Sequence, residues 1–369
     1  MRLLLLIFIS VLVFGEITLV FAQDKKVEQD DVIRVDTQLV DVPIAVVGAN
    51  GKLLRDLKKT NFVVYEDGKR QEVVDFSATA APFEIALLLD TSGSTRGDLQ
   101  LIQRSARDFI ASLRSGDRVA VIAYNTDRKV DQAIPTSEVL SLLTSDRQLL
   151  GAAIDRMATS NGTPYYDSLL QVVEKVFSDK PKEEFRGRRA LVALTDGVDS
   201  TSAFDFALAK EELGDAGIIS FFIKVDTREF FEASLLGDCQ TSIRFSTAQI
   251  RRYYRSFGSK SNIEKATDFC QLGEFERLAV SKKLYEIADA EMAELAKSSG
   301  GNVFPVADLS EARSAFKSVA NEIGTKYTLG YYPTNDKRDG TYRKIKVELK
   351  GSPAGTLIRT REGYTAPAN

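Results

Sequence analysis

The fold of this chain is decided by residues 83–94, which read FEIALLLDTSGS. The run from Ile85 to Leu89 is apolar without alternation, which is typical of a strand buried on both faces in a sheet that helices cover. The five residues that follow, Asp90–Ser94, put oxygen-bearing side chains at alternate positions of a tight loop. Gly93 allows the backbone to turn sharply between them. The stretch therefore predicts a buried strand that ends in a polar loop.

The same alternation of buried runs and helical patterns continues on both sides of this stretch. Because strands and helices alternate, they predict an α/β fold with a doubly wound, mostly parallel sheet over residues 81–325. Further strands are predicted at 118–124, 190–195, 218–225 and 301–306, and helices at 99–113, 166–177, 204–213, 284–297 and 309–323.

Two β segments flank this domain, at residues 23–80 and 326–369. In the first, Val40, Val42, Ile44 and Val46 alternate with other residues, and Asp67-Gly68 marks a hairpin turn. In the second, apolar residues alternate between 345 and 349. Since the ends of a domain often lie close together, we expect the two segments to pair into one small β-sandwich with the α/β domain inserted in it.

Residues 227–283 do not follow the strand–helix alternation. They contain both cysteines, Cys239 and Cys270, and a basic aromatic run at 251–255. We predict a largely helical insertion held by a Cys239–Cys270 disulfide, because an even pair of cysteines in an oxidising compartment most simply forms one bond. The insertion leaves the sheet at the carboxyl end of a parallel strand. Our hypothesis is that it forms a wall or lid beside the site at this edge of the sheet and determines which partner binds. The competing interpretation is an excursion that packs away from that edge.

Three polar loops converge on the carboxyl edge of the predicted sheet. Asp90, Ser92 and Ser94 follow the first buried strand, and Asp196 follows the strand at 190–195. Thr163 lies in a loop just before the helix at 166–177. Ligands of open α/β sheets bind at the carboxyl ends of the strands. Taken alone, Asp-x-Ser-x-Ser is also ordinary turn and helix-cap chemistry.

These residues, in this order and on these elements, resemble the metal-ion-dependent adhesion site of von Willebrand factor A domains. The layout with flanking β segments is similar to the exported bacterial VWFA-related proteins common in Acidobacteria. The resemblance implies that Ser92 and Ser94 bind one metal ion directly, Thr163 directly or through water, and Asp90 and Asp196 through water. Hydroxyl and water oxygens suit Mg²⁺, with Mn²⁺ or Ca²⁺ as alternatives. The implied function is binding of a protein partner whose Asp or Glu carboxylate completes the coordination.

Two other functions stay open at this point. The protein is a structural or assembly module if the metal only braces the loops. More remotely, it is a Mg²⁺-dependent phosphatase with Asp90 as the nucleophile. That chemistry calls for a second carboxylate two residues on, where Ser92 stands.

Composition excludes several classes of function. The chain has no His, so catalytic Ser-His-Asp arrangements and imidazole metal sites are absent, and two cysteines are too few for a four-thiolate site. The net charge of −3 does not suggest a nucleic-acid partner, and no glycine-rich nucleotide loop follows the first strand. The basic run at 251–255 is interpreted as the solvated face of a helix with tyrosines beneath it.

The first 22 residues have the pattern of a secretory signal peptide. Arg2 precedes an apolar run to Phe14, and Val-Phe-Ala at 20–22 fits a cleavage site. We therefore expect a secreted or periplasmic protein. From the adhesion-type site described above, we also expect that it is not an enzyme. Glu16 interrupts the apolar segment, and the protein contacts a membrane only if this segment stays uncleaved.

Overall fold

The computed structural model describes residues 39–77, 81–93, 98–129, 132–240, 244–258 and 268–368. These residues belong to one compact unit, Thr37–Asn369. The predicted signal peptide at 1–22 and the predicted metal ligand Ser94 lie outside the described residues.

Fourteen strands and eight α-helices make up the described ranges. The strands are β1 (Val40–Val47), β2 (Phe62–Glu66), β3 (Lys69–Gln71), β4 (Val73–Ser77), β5 (Glu84–Leu89), β6 (Arg118–Lys129), β7 (Gln132–Thr144), β8 (Arg189–Thr195), β9 (Ile219–Val225), β10 (Asn302–Val306), β11 (Tyr327–Tyr331), β12 (Tyr342–Leu349), β13 (Leu357–Thr360) and β14 (Gly363–Thr365). The helices are α1 (Leu99–Ser112), α2 (Arg147–Asp155), α3 (Tyr165–Gln171), α4 (Phe206–Asp215), α5 (Arg228–Leu235), α6 (Thr247–Arg255), α7 (Glu274–Ser299) and α8 (Ala312–Ile323). A π-helical turn, Val172–Val176, extends α3.

The central sheet has six strands in the order β10-β9-β8-β5-β6-β7. Neighbouring strands are parallel except for β7, which pairs antiparallel with β6. Every residue of β5 and β8 is buried, because helices cover both faces. Ile85, Leu87 and Leu89 pack against α1, α2 and α8, whereas Ala86 and Leu88 pack against α3, α4 and α7. The predicted doubly wound α/β fold is confirmed.

Sequence reasoning missed the edge strand β7 and the helix α2. The β7 segment carries Pro135 and several polar residues, which weaken the strand pattern. Proline is tolerated there because an edge strand has one unpaired side. Position in the sheet, rather than local pattern, makes this segment a strand.

The two β segments pair with each other in a sandwich of two four-stranded sheets, β13-β1-β11-β4 and β14-β12-β2-β3. β1 lies between two C-terminal strands, with Val42 opposite Leu329 of β11 and Val46 opposite Ile358 of β13. In the other sheet β12 pairs with β2. A single apolar core fills the space between the sheets. Each sheet is therefore complete only when both ends of the chain contribute.

The segment at 227–283 folds around a small core of its own. α5, α6 and the first turns of α7 enclose it, and a disulfide joins Cys239 to Cys270, as predicted. α7 begins at Glu274, ten residues before the predicted start at 284. The reason is that Val280 packs into the core of the insertion, so the helix continues without a break into the central domain.

No helix within the described ranges combines the length and the apolar character needed to cross a membrane.

Candidate metal centre

Asp90 lies at the carboxyl end of β5, between the ends of β6 and β8. Its backbone N–H donates to the carbonyl of Leu194 at 2.9 Å, which continues the sheet by one residue. The side chain is 1% exposed. Its Oδ1 accepts the backbone N–H of Ser92 at 2.9 Å, and its Oδ2 accepts the Thr195 hydroxyl at 2.8 Å. Burial raises the pKa of Asp90. The carboxylate is held in place before any ion binds.

Asp196 follows β8 and faces the same edge. Its Oδ1 accepts the backbone N–H of Val198 at 2.9 Å, and its Oδ2 accepts the Thr227 hydroxyl at 2.6 Å. Burial and then the negative charge of Asp90 raise the pKa of Asp196 to about 7. Two carboxylates of like charge are thus buried close together at the end of the sheet, an arrangement that a cation between them would stabilise.

Thr163 enters from the loop between α2 and α3. Its N–H donates to the Ser200 hydroxyl at 2.8 Å, and its carbonyl accepts the Ser200 N–H at 3.0 Å. Earlier in the same loop, the Ser160 N–H donates to the carbonyl of Thr91 at 2.8 Å. The hydrogen bonds therefore connect three loops in a closed ring: 90–92 to 160–163, 160–163 to 196–200, and 195 back to Asp90.

Asp90, Thr163 and Asp196 therefore lie in loops that contact one another, and the buried Ser92 belongs to the first of them. Ser94, the remaining predicted ligand, lies in the stretch 94–97, outside the described residues. Asp90 and Asp196 come directly after the buried strands β5 and β8, so the sheet fixes the position of both residues.

The donor chemistry of this edge fits a hard divalent cation. Two carboxylates and the hydroxyls of Ser92 and Thr163 offer only oxygen. Among the described residues, no group of three or more Asp, Glu, Cys or His side chains is placed to hold a metal ion, so any ion here would rely on hydroxyl and water oxygen as well. An ion with so few direct carboxylates keeps most of its charge and attracts a further anionic ligand.

The first residue of the insertion touches this centre, which the sequence did not reveal. The Thr227 hydroxyl hydrogen-bonds both Asp196 and, at 2.7 Å, the hydroxyl of Tyr285 in α7. α7 also supplies Met292, which covers Gly197. Gly197 has φ +73°, and a Cβ there would lie 2.9 Å from the Met292 Cε. Strand and helix patterns carry no signal for such a contact between distant segments.

The insertion also contacts the first turn of α3, directly after the Thr163 loop, through α6. Arg252 lies over the ring of Tyr166 at 4.8 Å and pairs with Glu291 of α7 at 2.5 Å. The Tyr166 hydroxyl donates to the same Glu291 carboxylate at 2.8 Å. One member of the basic run at 251–255 is therefore engaged inside the protein, next to the candidate centre.

Residues 85–198 match the family model of the von Willebrand factor type A domain. The fold of the sheet, the order of the loops and this match together show that residues 85–198 belong to a von Willebrand factor type A domain, and these domains are a family of protein-interaction modules. The matched range includes Asp90, Ser92, Thr163 and Asp196, and it excludes the insertion and both β segments. No curated protein matches the chain.

Solved structures resemble the chain at low identity. Proximal thread matrix protein 1 from the mussel byssus is 15% identical, with a TM-score of 0.41, over 75% of this chain and 51% of its own. The match thus spans about half the length of the mussel protein. The conserved hypothetical protein BatB from Bacteroides thetaiotaomicron is 17% identical, with a TM-score of 0.38, over 65% of this chain and 98% of its own. An aerotolerance-related membrane protein from Bacteroides fragilis is 17% identical, with a TM-score of 0.37, over 65% of this chain and 99% of its own. At these values none of the three supports a shared function.

Proposed function

We propose that this protein is a metal-dependent binding module. One divalent ion, Mg²⁺ by donor chemistry with Mn²⁺ or Ca²⁺ as alternatives, is held by Asp90, Ser92, Ser94, Thr163 and Asp196. The ion supplies an open coordination position for an Asp or Glu carboxylate of a protein partner. In this proposal the protein has no chemistry of its own and acts in the periplasm or as a secreted protein, as residues 1–22 predict.

The observation that carries the proposal is the buried pair of carboxylates, Asp90 and Asp196, at the carboxyl edge of the sheet. Burying two like charges together is unfavourable without a compensating cation. The ring of hydrogen bonds through Thr195, Thr163 and Ser200 holds the loops in position in spite of that cost. Because this arrangement lowers the stability of the folded protein, ligand binding explains it better than a structural role does.

The phosphatase alternative is disfavoured by the environment of Asp90. A nucleophilic carboxylate needs an oxygen that a substrate can approach, whereas Asp90 is 1% exposed and both its oxygens accept hydrogen bonds from the protein. The residue two positions on is Ser92, which cannot act as a general acid or base at neutral pH.

We further propose that the insertion at 227–283 sets partner choice. It reaches Asp196 through Thr227, and it reaches the first turn of α3, which follows the Thr163 loop, through Arg252. It also exposes large apolar side chains, among them Phe230 and Phe257. Beside an ion that recognises only a carboxylate, such a surface provides the remaining contacts by which one acidic partner is distinguished from another.

Calorimetric titration of Mg²⁺ and Mn²⁺ into the purified chain tests the metal centre. We expect saturable binding of about one ion per chain, which is lost in Asp90→Ala and in Ser92→Ala. Asp98→Asn is the matched control, since Asp98 is an exposed acidic residue nearby whose side chain makes no helix-capping bond. Absence of binding in the wild type, or undiminished binding in both variants, would refute the metal centre.

Partner capture with and without EDTA separates the binding module from the structural one. Melting curves first establish a temperature at which the protein stays folded in EDTA, since loss of a bound ion lowers the melting temperature in both cases. At that temperature, EDTA abolishes partner capture if the ion serves partner binding, and leaves it intact if the ion only braces the loops.

A further inference from the structure

A cavity of about 540 Å³ lies at the edge of the sheet opposite to the candidate metal centre. It is enclosed by α4, the end of α7, the start of β9 and residues 361–365 of the β-sandwich. Leu213, Ile218 and Leu295 give it apolar walls. The volume falls within the range of small-molecule sites, about 300–1,000 Å³. The cavity exists only because the sandwich packs against the A domain.

A cation without a carboxylate partner lies in the wall of this cavity. The Arg361 guanidinium donates from Nε to the carbonyl of Gly363 at 2.9 Å and from Nη1 to the carbonyl of Asp41 at 3.3 Å. No carboxylate within the described ranges forms an ion pair with it, and its Nη2 has no acceptor there. Burial lowers the pKa of Arg361. The guanidinium is partly buried and lies 5.4 Å from the centre of the Tyr364 ring, and an anion in the cavity would supply a charged hydrogen-bond partner for its Nη2.

A second polar group in the same wall lacks a partner. Ser220 is 1% exposed, and its hydroxyl has no hydrogen-bond partner among the described residues. It lies on the same face of β9 as Ile218 and Phe222, the face covered by α4 and α7. The Ser220 side chain therefore points to the side of the sheet on which the cavity lies.

The mouth of the cavity carries the opposite charge. Glu211 and Asp215 are one turn apart on α4, both exposed, and neither forms an ion pair within the described part of the chain. The other charged lining residues are already paired, Lys210 with Glu294 and Glu362 with Lys297. The ends of α4 and α7 at this cavity are their carboxyl ends, which carry partial negative charge. A phosphate dianion is therefore disfavoured, and a positive group near the mouth is favoured.

We propose that this cavity binds a small apolar zwitterion, an apolar amino acid or short apolar peptide. The carboxylate contacts the free Nη2 of Arg361, the apolar side chain lies against Leu213 and Leu295, and the ammonium group lies toward Glu211 and Asp215. The site is independent of the metal centre, which lies at the other edge of the sheet.

Calorimetry on the full chain in EDTA tests this assignment with four probes: L-leucine, the dipeptide Leu-Leu, 4-methylpentanoate, which lacks the ammonium group, and 3-methylbutylamine, which lacks the carboxylate. We expect saturable binding of leucine or the dipeptide, at least tenfold weaker binding of the acid and no saturable binding of the amine. Comparing leucine with the dipeptide distinguishes an amino acid from a peptide ligand.

Variants locate the binding in the cavity. Arg361→Gln is expected to weaken binding at least tenfold and Glu211→Gln several-fold, whereas Glu212→Gln, a charge on α4 outside the cavity, leaves it unchanged. Because Arg361→Gln could impair folding, Ala207→Trp provides a second test: it fills the cavity from an exposed position of α4. The proposal is overturned if no probe binds the wild type, or if Ala207→Trp binds leucine and the dipeptide as tightly as the wild type does.

Discussion

The two ends of β5 carry two buried acidic residues in opposite surroundings. Glu84 begins the strand, is 2% exposed, and lies between Arg118 at 2.5 Å and Arg189 at 2.9 Å. Asp90 follows the strand, is 1% exposed, and has another carboxylate, Asp196, as its charged neighbour. The five residues between them are all buried as well, so burial alone does not distinguish the two ends.

The difference separates a structural carboxylate from one suited to bind a ligand. Glu84 is neutralised by the protein itself, so its charge is already used in joining β5, β6 and β8. Asp90 and Asp196 accept hydrogen bonds from hydroxyl and amide groups, which orient the two carboxylates. Burial raises the pKa of both carboxyl groups, and the negative charge of Asp90 raises the pKa of Asp196 further. A cation between the two would relieve this repulsion.

The largest expected effect is on stability, at the amino end of β5. Glu84→Gln leaves Arg189, which is 7% exposed, buried without its carboxylate. Removing one partner of a buried ion pair costs about 3–5 kcal/mol, and we expect a loss of this order in the free energy of unfolding, measured with urea.

Asp90→Asn is the counterpart at the other end of the strand. In EDTA it removes a like-charge repulsion, so we expect little change in stability or a small gain. A loss as large as that of Glu84→Gln would contradict the distinction between the two ends.

The next effect is a pH dependence specific to the metal-free protein. The pKa of Asp196 is raised from 3.8 to about 7 in the folded state. Between these values the unfolded chain has released the proton that the folded chain keeps, so stability falls as pH rises from about 4 to about 7 and then levels off. The slope contributed by one such group is at most about 1.4 kcal/mol per pH unit.

Urea unfolding in EDTA at several pH values between 4.5 and 7.5 measures this slope. Asp196→Asn is expected to reduce it, because the amide does not titrate. An identical slope in the variant and the wild type would show that Asp196 is not the group responsible.

The smallest effect concerns the contact between the insertion and the metal edge. Thr227→Val removes the hydroxyl that donates to Asp196. Loss of a hydrogen bond that orients a metal-binding carboxylate weakens binding by tenfold or more, so we expect about tenfold weaker Mg²⁺ binding in calorimetry. Tyr285→Phe is the matched control, because it keeps the Thr227–Asp196 hydrogen bond and removes only the hydrogen bond between Thr227 and Tyr285. Equal effects of both variants would mean that the whole contact, and not Thr227, matters.

The α/β fold and the edge at which the polar loops meet follow from the order of residues along the chain. Unbroken apolar runs such as Ile85–Leu89 indicate strands that are buried on both faces of a sheet. Because parallel strands end at the same edge of the sheet, Asp90 and Asp196 are then predicted to lie close together, before any contact is known. The disulfide follows as well, since the chain has only two cysteines.

Features that depend on packing between distant segments became visible only in the folded protein. Thr227 binds Asp196 because the insertion returns along α7, and Arg361 meets the cavity because the last strands of the sandwich dock beside α4. The antiparallel pairing of β7 with β6 likewise depends on how distant elements pack. Local sequence patterns report the periodicity and burial of one element at a time, whereas these contacts arise from the arrangement of several elements in space.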